Sequence, residues 1–132
     1  MYIYFQANPQ DKRTDDCVVR TIAKALDVDW DTASIYLVIQ QIRDSDIYTK
    51  NYVWGNLLTY NGFTKHFLPD TCPDCYTIEQ FANDHPTGTY VVGTGDHVVP
   101  VIDGDYLDTF DSGNMIPIVY YKKEREVTNG LQ

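Results

Sequence analysis

The chain is short of positive charge: 10 lysines and arginines stand against 19 aspartates and glutamates, giving a formal net charge of −9 over 132 residues. Such a surface repels phosphate backbones unless a basic patch interrupts it, and the only basic clusters are Lys12-Arg13 and Lys122-Lys123. Nucleic acid is therefore not an expected partner. Long apolar runs are missing too. None approaches the ~20 residues a helix needs to span a bilayer, so no membrane partner is expected. The opening MYIYFQANP has neither the basic start nor the apolar stretch of a signal peptide, and the expected location is cytoplasmic. Cysteine is scarce. Three residues are an odd number, so at least one thiol lies outside any intramolecular disulfide, and Cys17, far from Cys72 and Cys75, is the odd one out. With no repeats, low-complexity tracts or linkers, residues 1–132 read as a single domain.

What is present is a folded composition, 43% hydrophobic and 14% aromatic with eleven tyrosines, enough for a real core. YIYFQ (2–6) reads as a short strand, and the polar, proline-bearing stretch 8–16 as a surface loop. Apolar spacing predicts a helix over 16–26, with Val18 or Val19, Ile22, Ala25 and Leu26 on one face and Asp15 or Asp16 as its cap. A second helix, over 31–43, carries Ile35, Val38, Ile39 and Ile42 at helical spacing. A third spans 52–60 and stops at Asn61-Gly62, and a short strand follows over 63–68. Thr77 and Gln80 form a capping-box pair for a fourth helix that Pro86 ends. After residue 87 the pattern turns to strands, with Asp103-Gly104 as a hairpin signal. Helices first and strands after predict an α+β fold with a mainly antiparallel C-terminal sheet.

Cys17 falls in the first turn of its helix, where the macrodipole and unpaired N–H groups favour thiolate. Asp15 and Asp16 oppose that by like-charge repulsion. By position alone the residue reads as a small core side chain. His97, at a strand start after Gly95-Asp96, offers the base that a cysteine nucleophile needs, and a third group must fix the base's tautomer. A two-residue turn at Asp103-Gly104 pairs Ile102 with Asp105 and sets Asp108 diagonal to His97 on one face. One more residue in the turn would bring Asp111 there instead. Arg20, one turn after Asp16, pairs with a carboxylate at little consequence if exposed. Trp54 and the tyrosine-rich 48–60 segment read as core or as the wall of a cleft beside Cys17.

DDCVVRTIAKAL, GTGDHVVPVID and YLDTFDSG, in this order, resemble the nucleophile helix, histidine strand and third-residue strand of the papain-like cysteine peptidase superfamily. The wider pattern, including NP upstream and TCPDCYT between, is similar to small proteins of phages and Gram-positive bacteria. The resemblance covers nearly the whole chain and implies a compact papain-like fold. It also implies a thiol hydrolase with Cys17, His97 and Asp108 as triad, Phe110 covering the His–Asp pair, and a protein or peptide substrate, with no cofactor. It further implies an oxyanion-hole side chain upstream of the nucleophile, usually glutamine. Asn8 and Gln10 are the candidates, nine and seven residues before Cys17. An alternative is a catalytically silent papain-like acidic protein that binds and modulates a host protein.

CPDC (72–75) invites a metal or redox reading, with His66 and His85 on either side. The spacing matches no standard zinc finger, and no βαβ unit frames a thioredoxin-like site. The residues read first as a tight turn, with zinc at Cys72 and Cys75 as the weaker alternative.

Overall fold

In the computed structural model, which describes residues 1–124, the short apolar runs become strands and the longer periodic segments become helices. In chain order these are β1 (Tyr2–Tyr4), α1 (Cys17–Leu26), α2 (Trp30–Asp44), α3 (Asn51–Tyr60) and β2 (Phe63–Phe67). Then follow α4 (Ile78–Asp84), β3 (Thr89–Gly93), β4 (Val98–Ile102), β5 (Asp105–Asp108) and β6 (Val119–Lys123). The fold is α+β, built on one six-stranded sheet of order β1-β5-β4-β3-β6-β2. Only the β1–β5 pairing is parallel. The sheet is not purely C-terminal, since β1 and β2 from the first half of the chain form its two edges.

Alternation along the strands divides the interior in two. Val91, Val98, Val119 and Tyr121 face α1, α2 and α3, packing with Ile22, Leu37, Trp54, Leu57 and Leu58. Tyr90, Val92, Val99, Val101 and Tyr106 face the other way, onto Ile78, Phe81 and Ala82 of α4. Helices thus cover both faces of the sheet. The capping box at Thr77 and Gln80 starts α4. Asn61 caps the end of α3, and Gly62 takes the positive φ of 88° needed to leave it.

One helix sits the other way round from its sequence pattern. Ile35, Val38 and Ile42 of α2 are exposed, and the helix buries Ala33, Leu37 and Gln40 instead. Both faces of α2 carry apolar residues, so periodicity could not choose between them. The face that is buried places Ala33 and Leu37 in the core cluster with residues of α1 and α3. Gln40 Nε2 donates to Asp44 Oδ2 at 3.1 Å, while its Oε1 is buried with no hydrogen-bond partner among the described residues.

Two features place the functional end of the sheet. Asp103 and Gly104 adopt positive φ values of 49° and 84°, the paired left-handed geometry of a two-residue hairpin turn, and Ile102 pairs with Asp105. On the helical side, Thr21 Oγ1 donates to the Val98 carbonyl at 3.1 Å, tying α1 to the start of β4. No helix among the described residues is long and apolar enough to cross a membrane.

Candidate active site

Cys17 opens α1, half-buried, at the wall of a cleft of about 480 Å³. Thr14, Asp15, Asn51, Trp54, His97 and Phe110 are among the residues lining that cleft. Trp54 serves both roles expected of it, since it is buried in the core and also lines the cleft. A side chain on Gly93 would meet its ring at 3.1 Å, so the indole is held from behind.

The 94–97 turn delivers His97 to the cleft. Thr94 N donates to the His97 carbonyl at 2.8 Å, and His97 N donates back to Thr94 Oγ1 at 2.9 Å. The imidazole Nε2 lies 2.7 Å from Asp108 Oδ2, leaving Nδ1 as the ring nitrogen for Cys17. Phe110 covers the pair, its ring centroid 5.2 Å from that of His97. Burial alone would push the His97 pKa down. Hydrogen bonds and charge from Asp108 and Cys17 outweigh it and hold the pKa at about 9. Burial likewise pushes Asp108 up, but hydrogen bonds from His97, Ser112 and the Thr109 backbone, with the His97 charge, hold it below the usual carboxylate range.

Asp111, the other candidate for the third position, is exposed and turned elsewhere. Its Oδ1 accepts from Tyr106 Oη at 2.6 Å and from Gly113 N at 3.0 Å. The two-residue turn made this selection, because one residue more between β4 and β5 would have exchanged the faces.

Arg20 departs furthest from the sequence reading. It is 3% exposed, and its two terminal nitrogens bridge Asp16 Oδ1 at 2.6 Å and Asp108 Oδ1 at 2.8 Å. Asp16 Oδ2 accepts in addition from Trp30 Nε1 at 2.9 Å. Asp16 therefore occupies the N-cap position of α1 without capping it through its side chain. Two consequences follow. Its charge, next in sequence to Cys17, is paired with a buried guanidinium, and the first-turn N–H groups beside Cys17 have no capping side chain. The signal for Arg20 was its spacing, one helical turn from Asp16. What sequence could not supply was Asp108 closing on it from across the fold.

Neither upstream carboxamide candidate lines the cleft. Asn8 Oδ1 accepts from the backbone of Gln10 and Lys12, and Gln10 is exposed. The loop folds on itself because Asn8 reaches N–H groups two and four residues ahead. Asn51 is the carboxamide that does line the cleft, with Nδ2 donating to the Thr94 carbonyl at 3.3 Å.

Cys72 and Cys75 are joined in a disulfide, so neither sulfur is a thiolate for a metal, and the zinc alternative is withdrawn. The nearby histidines are engaged elsewhere: His66 stacks on Tyr120, and His85 stacks on Phe81 with Nδ1 2.7 Å from the Phe81 carbonyl. Among the described residues no group of three or more His, Cys, Asp or Glu side chains is arranged to hold a metal ion.

Comparison with protein-family models, curated proteins and solved structures gives no match. The site brings together a thiol at a helix start, an imidazole beside it, and a buried carboxylate bound to that imidazole.

Proposed function

We propose that the chain is a papain-like thiol hydrolase, acting on an amide bond of a protein or peptide. The observation that carries this reading is the His97–Asp108 pair at 2.7 Å, aimed into the cleft that also holds the free thiol of Cys17. Cys17, its thiol proton already held by His97, attacks the carbonyl carbon through Sγ. The tetrahedral intermediate collapses with C–N cleavage as His97 hands that proton to the departing amine, leaving a thioester. Water, deprotonated by His97, then attacks the thioester. The acid product leaves and the thiol is regenerated. Asp108 keeps one tautomer by accepting from Nε2, and the uncapped N–H groups at the start of α1 stabilise the oxyanion. Peptide, isopeptide and side-chain amide bonds are all served by these steps.

The test is acyl-enzyme capture. Incubation with an activated ester and with peptide libraries, followed by intact-mass and peptide-level analysis, is expected to find an acyl group on Cys17 that turns over. A His97→Ala variant should not acylate at a comparable rate. Absence of turnover with every ester, peptide and isopeptide tried would contradict the reading. The second reading, a silent acidic binding protein, draws on the −9 charge and on Asn8 and Gln10 lying away from the cleft. Slow acylation of Cys17 that ignores His97 would select it.

A further inference from the structure

The carboxylate of Asp108 has all four of its lone-pair directions filled. Oδ2 takes His97 Nε2 at 2.7 Å and Ser112 Oγ at 2.8 Å, while Oδ1 takes an Arg20 terminal nitrogen and Thr109 N, both at 2.8 Å. Three of these partners come from the strand side of the fold or its adjoining loop. Arg20 alone comes from α1, the helix that begins with Cys17. We propose that Arg20 is a positioning residue of the site, locking the Asp108 carboxylate to the nucleophile's own helix and cancelling the Asp16 charge beside the nucleophile. This inference rests on the thiol-hydrolase reading.

Arg20 lies three residues after Cys17 on a rigid helix, so its bond to Asp108 fixes the distance between nucleophile helix and orienting strand. The other end of the guanidinium is itself held, since Asp16 is anchored by Trp30 from α2. Asp16, Arg20, Asp108 and a protonated His97 alternate in sign and sum to zero, which makes their burial tolerable. A lysine preserves the charge of Arg20 without its planar fork, and one ammonium cannot hold two carboxylates in this geometry. Misplacing a reacting group by about 1 Å can reduce a rate by about 10²-fold, which sets the scale of effect to look for.

The test compares iodoacetamide labelling of Cys17 at pH 6 and at pH 9, where unassisted thiolate forms, in cooperatively melting variants. In Arg20→Lys, the pH 6 rate is expected to fall by about 10- to 100-fold while the pH 9 rate changes by less than about threefold. Trp30→Phe, which frees Asp16 and so loosens Arg20 without removing it or changing any charge, should show the same sign at about 3- to 10-fold. It keeps the proposal falsifiable if Arg20→Lys fails to fold. A merely structural role moves the melting temperature and leaves the ratio of the two rates alone, and that result overturns the inference. If wild-type labelling at pH 6 does not depend on His97, the hydrolase reading fails and Arg20 positions nothing. If it does depend on His97 while the folded Arg20-pathway variants retain the wild-type ratio, only the present inference fails.

Discussion

Two half-buried histidines set against aromatic rings show what distinguishes the corner at the cleft from a packed one. His85 stacks on Phe81 with ring centroids 3.9 Å apart, and its Nδ1 meets the carbonyl of that same residue, one helical turn back. His97 lies beside Phe110, but its Nε2 meets a fully buried carboxylate that is itself bound to a buried arginine. The sulfurs repeat the contrast. Near α4, Cys72 and Cys75 are tied to each other, whereas Cys17 stays free at the cleft. Burial and an aromatic neighbour are common to both corners. A balanced chain of buried charge ending at a free thiol belongs only to one.

The sharpest break in that comparison comes from removing sulfur. Cys17→Ala is expected to lower turnover by at least about 10³-fold, while the paired Cys72→Ser and Cys75→Ser change leaves turnover near wild type. Next in size are the carboxylates. Asp108→Ala leaves the buried Arg20 with Asp16 alone and takes the acceptor from Ser112 Oγ and Thr109 N, and is expected to destabilise the fold by about 3–5 kcal/mol. Asp111→Ala, losing an exposed acceptor for the Tyr106 hydroxyl, should cost about 1 kcal/mol. Urea titrations of the two variants make the comparison.

Protonation of His97 gives a third test. The folded chain holds that proton up to about 9, whereas an unfolded imidazole releases it near 6.5. The associated stability is thus complete below pH 6.5 and is lost as pH rises through 9. About 3 kcal/mol is at stake over that window, and His97→Ala should flatten it. Smallest is the disulfide. Closing so short a loop contributes about 1–2 kcal/mol, so mild reduction should lower the urea midpoint slightly and leave the Cys17 labelling rate unchanged.

Local chemistry was legible in the sequence wherever the deciding contacts were local. Asn61-Gly62, the Thr77/Gln80 box and the Asp103-Gly104 turn each carry their geometry in adjacent residues, and the last of these favoured Asp108 while Asp111 stayed open until the two-residue turn was seen. Reading failed where a contact bridged distant segments. Arg20 looked like a surface partner of Asp16, because nothing near it in sequence announces that Asp108 will close on its other side. Asn8 and Gln10, candidates supplied by the family resemblance, lie off the cleft for a local reason, Asn8 Oδ1 accepting from the backbone N–H groups of Gln10 and Lys12. Ile35, Val38 and Ile42 have the spacing of a core face. With apolar residues on both sides of α2, the choice fell to packing against α1 and α3.

The central claim is that Cys17 and His97 act as one unit. It is tested most directly by the rate of Cys17 alkylation with iodoacetamide at pH 6 in the wild type, His97→Ala and His85→Ala. The account predicts rapid labelling in the wild type, a fall of about 10²-fold or more in His97→Ala, and no change beyond about twofold in His85→Ala. Equal, slow labelling in all three would contradict it.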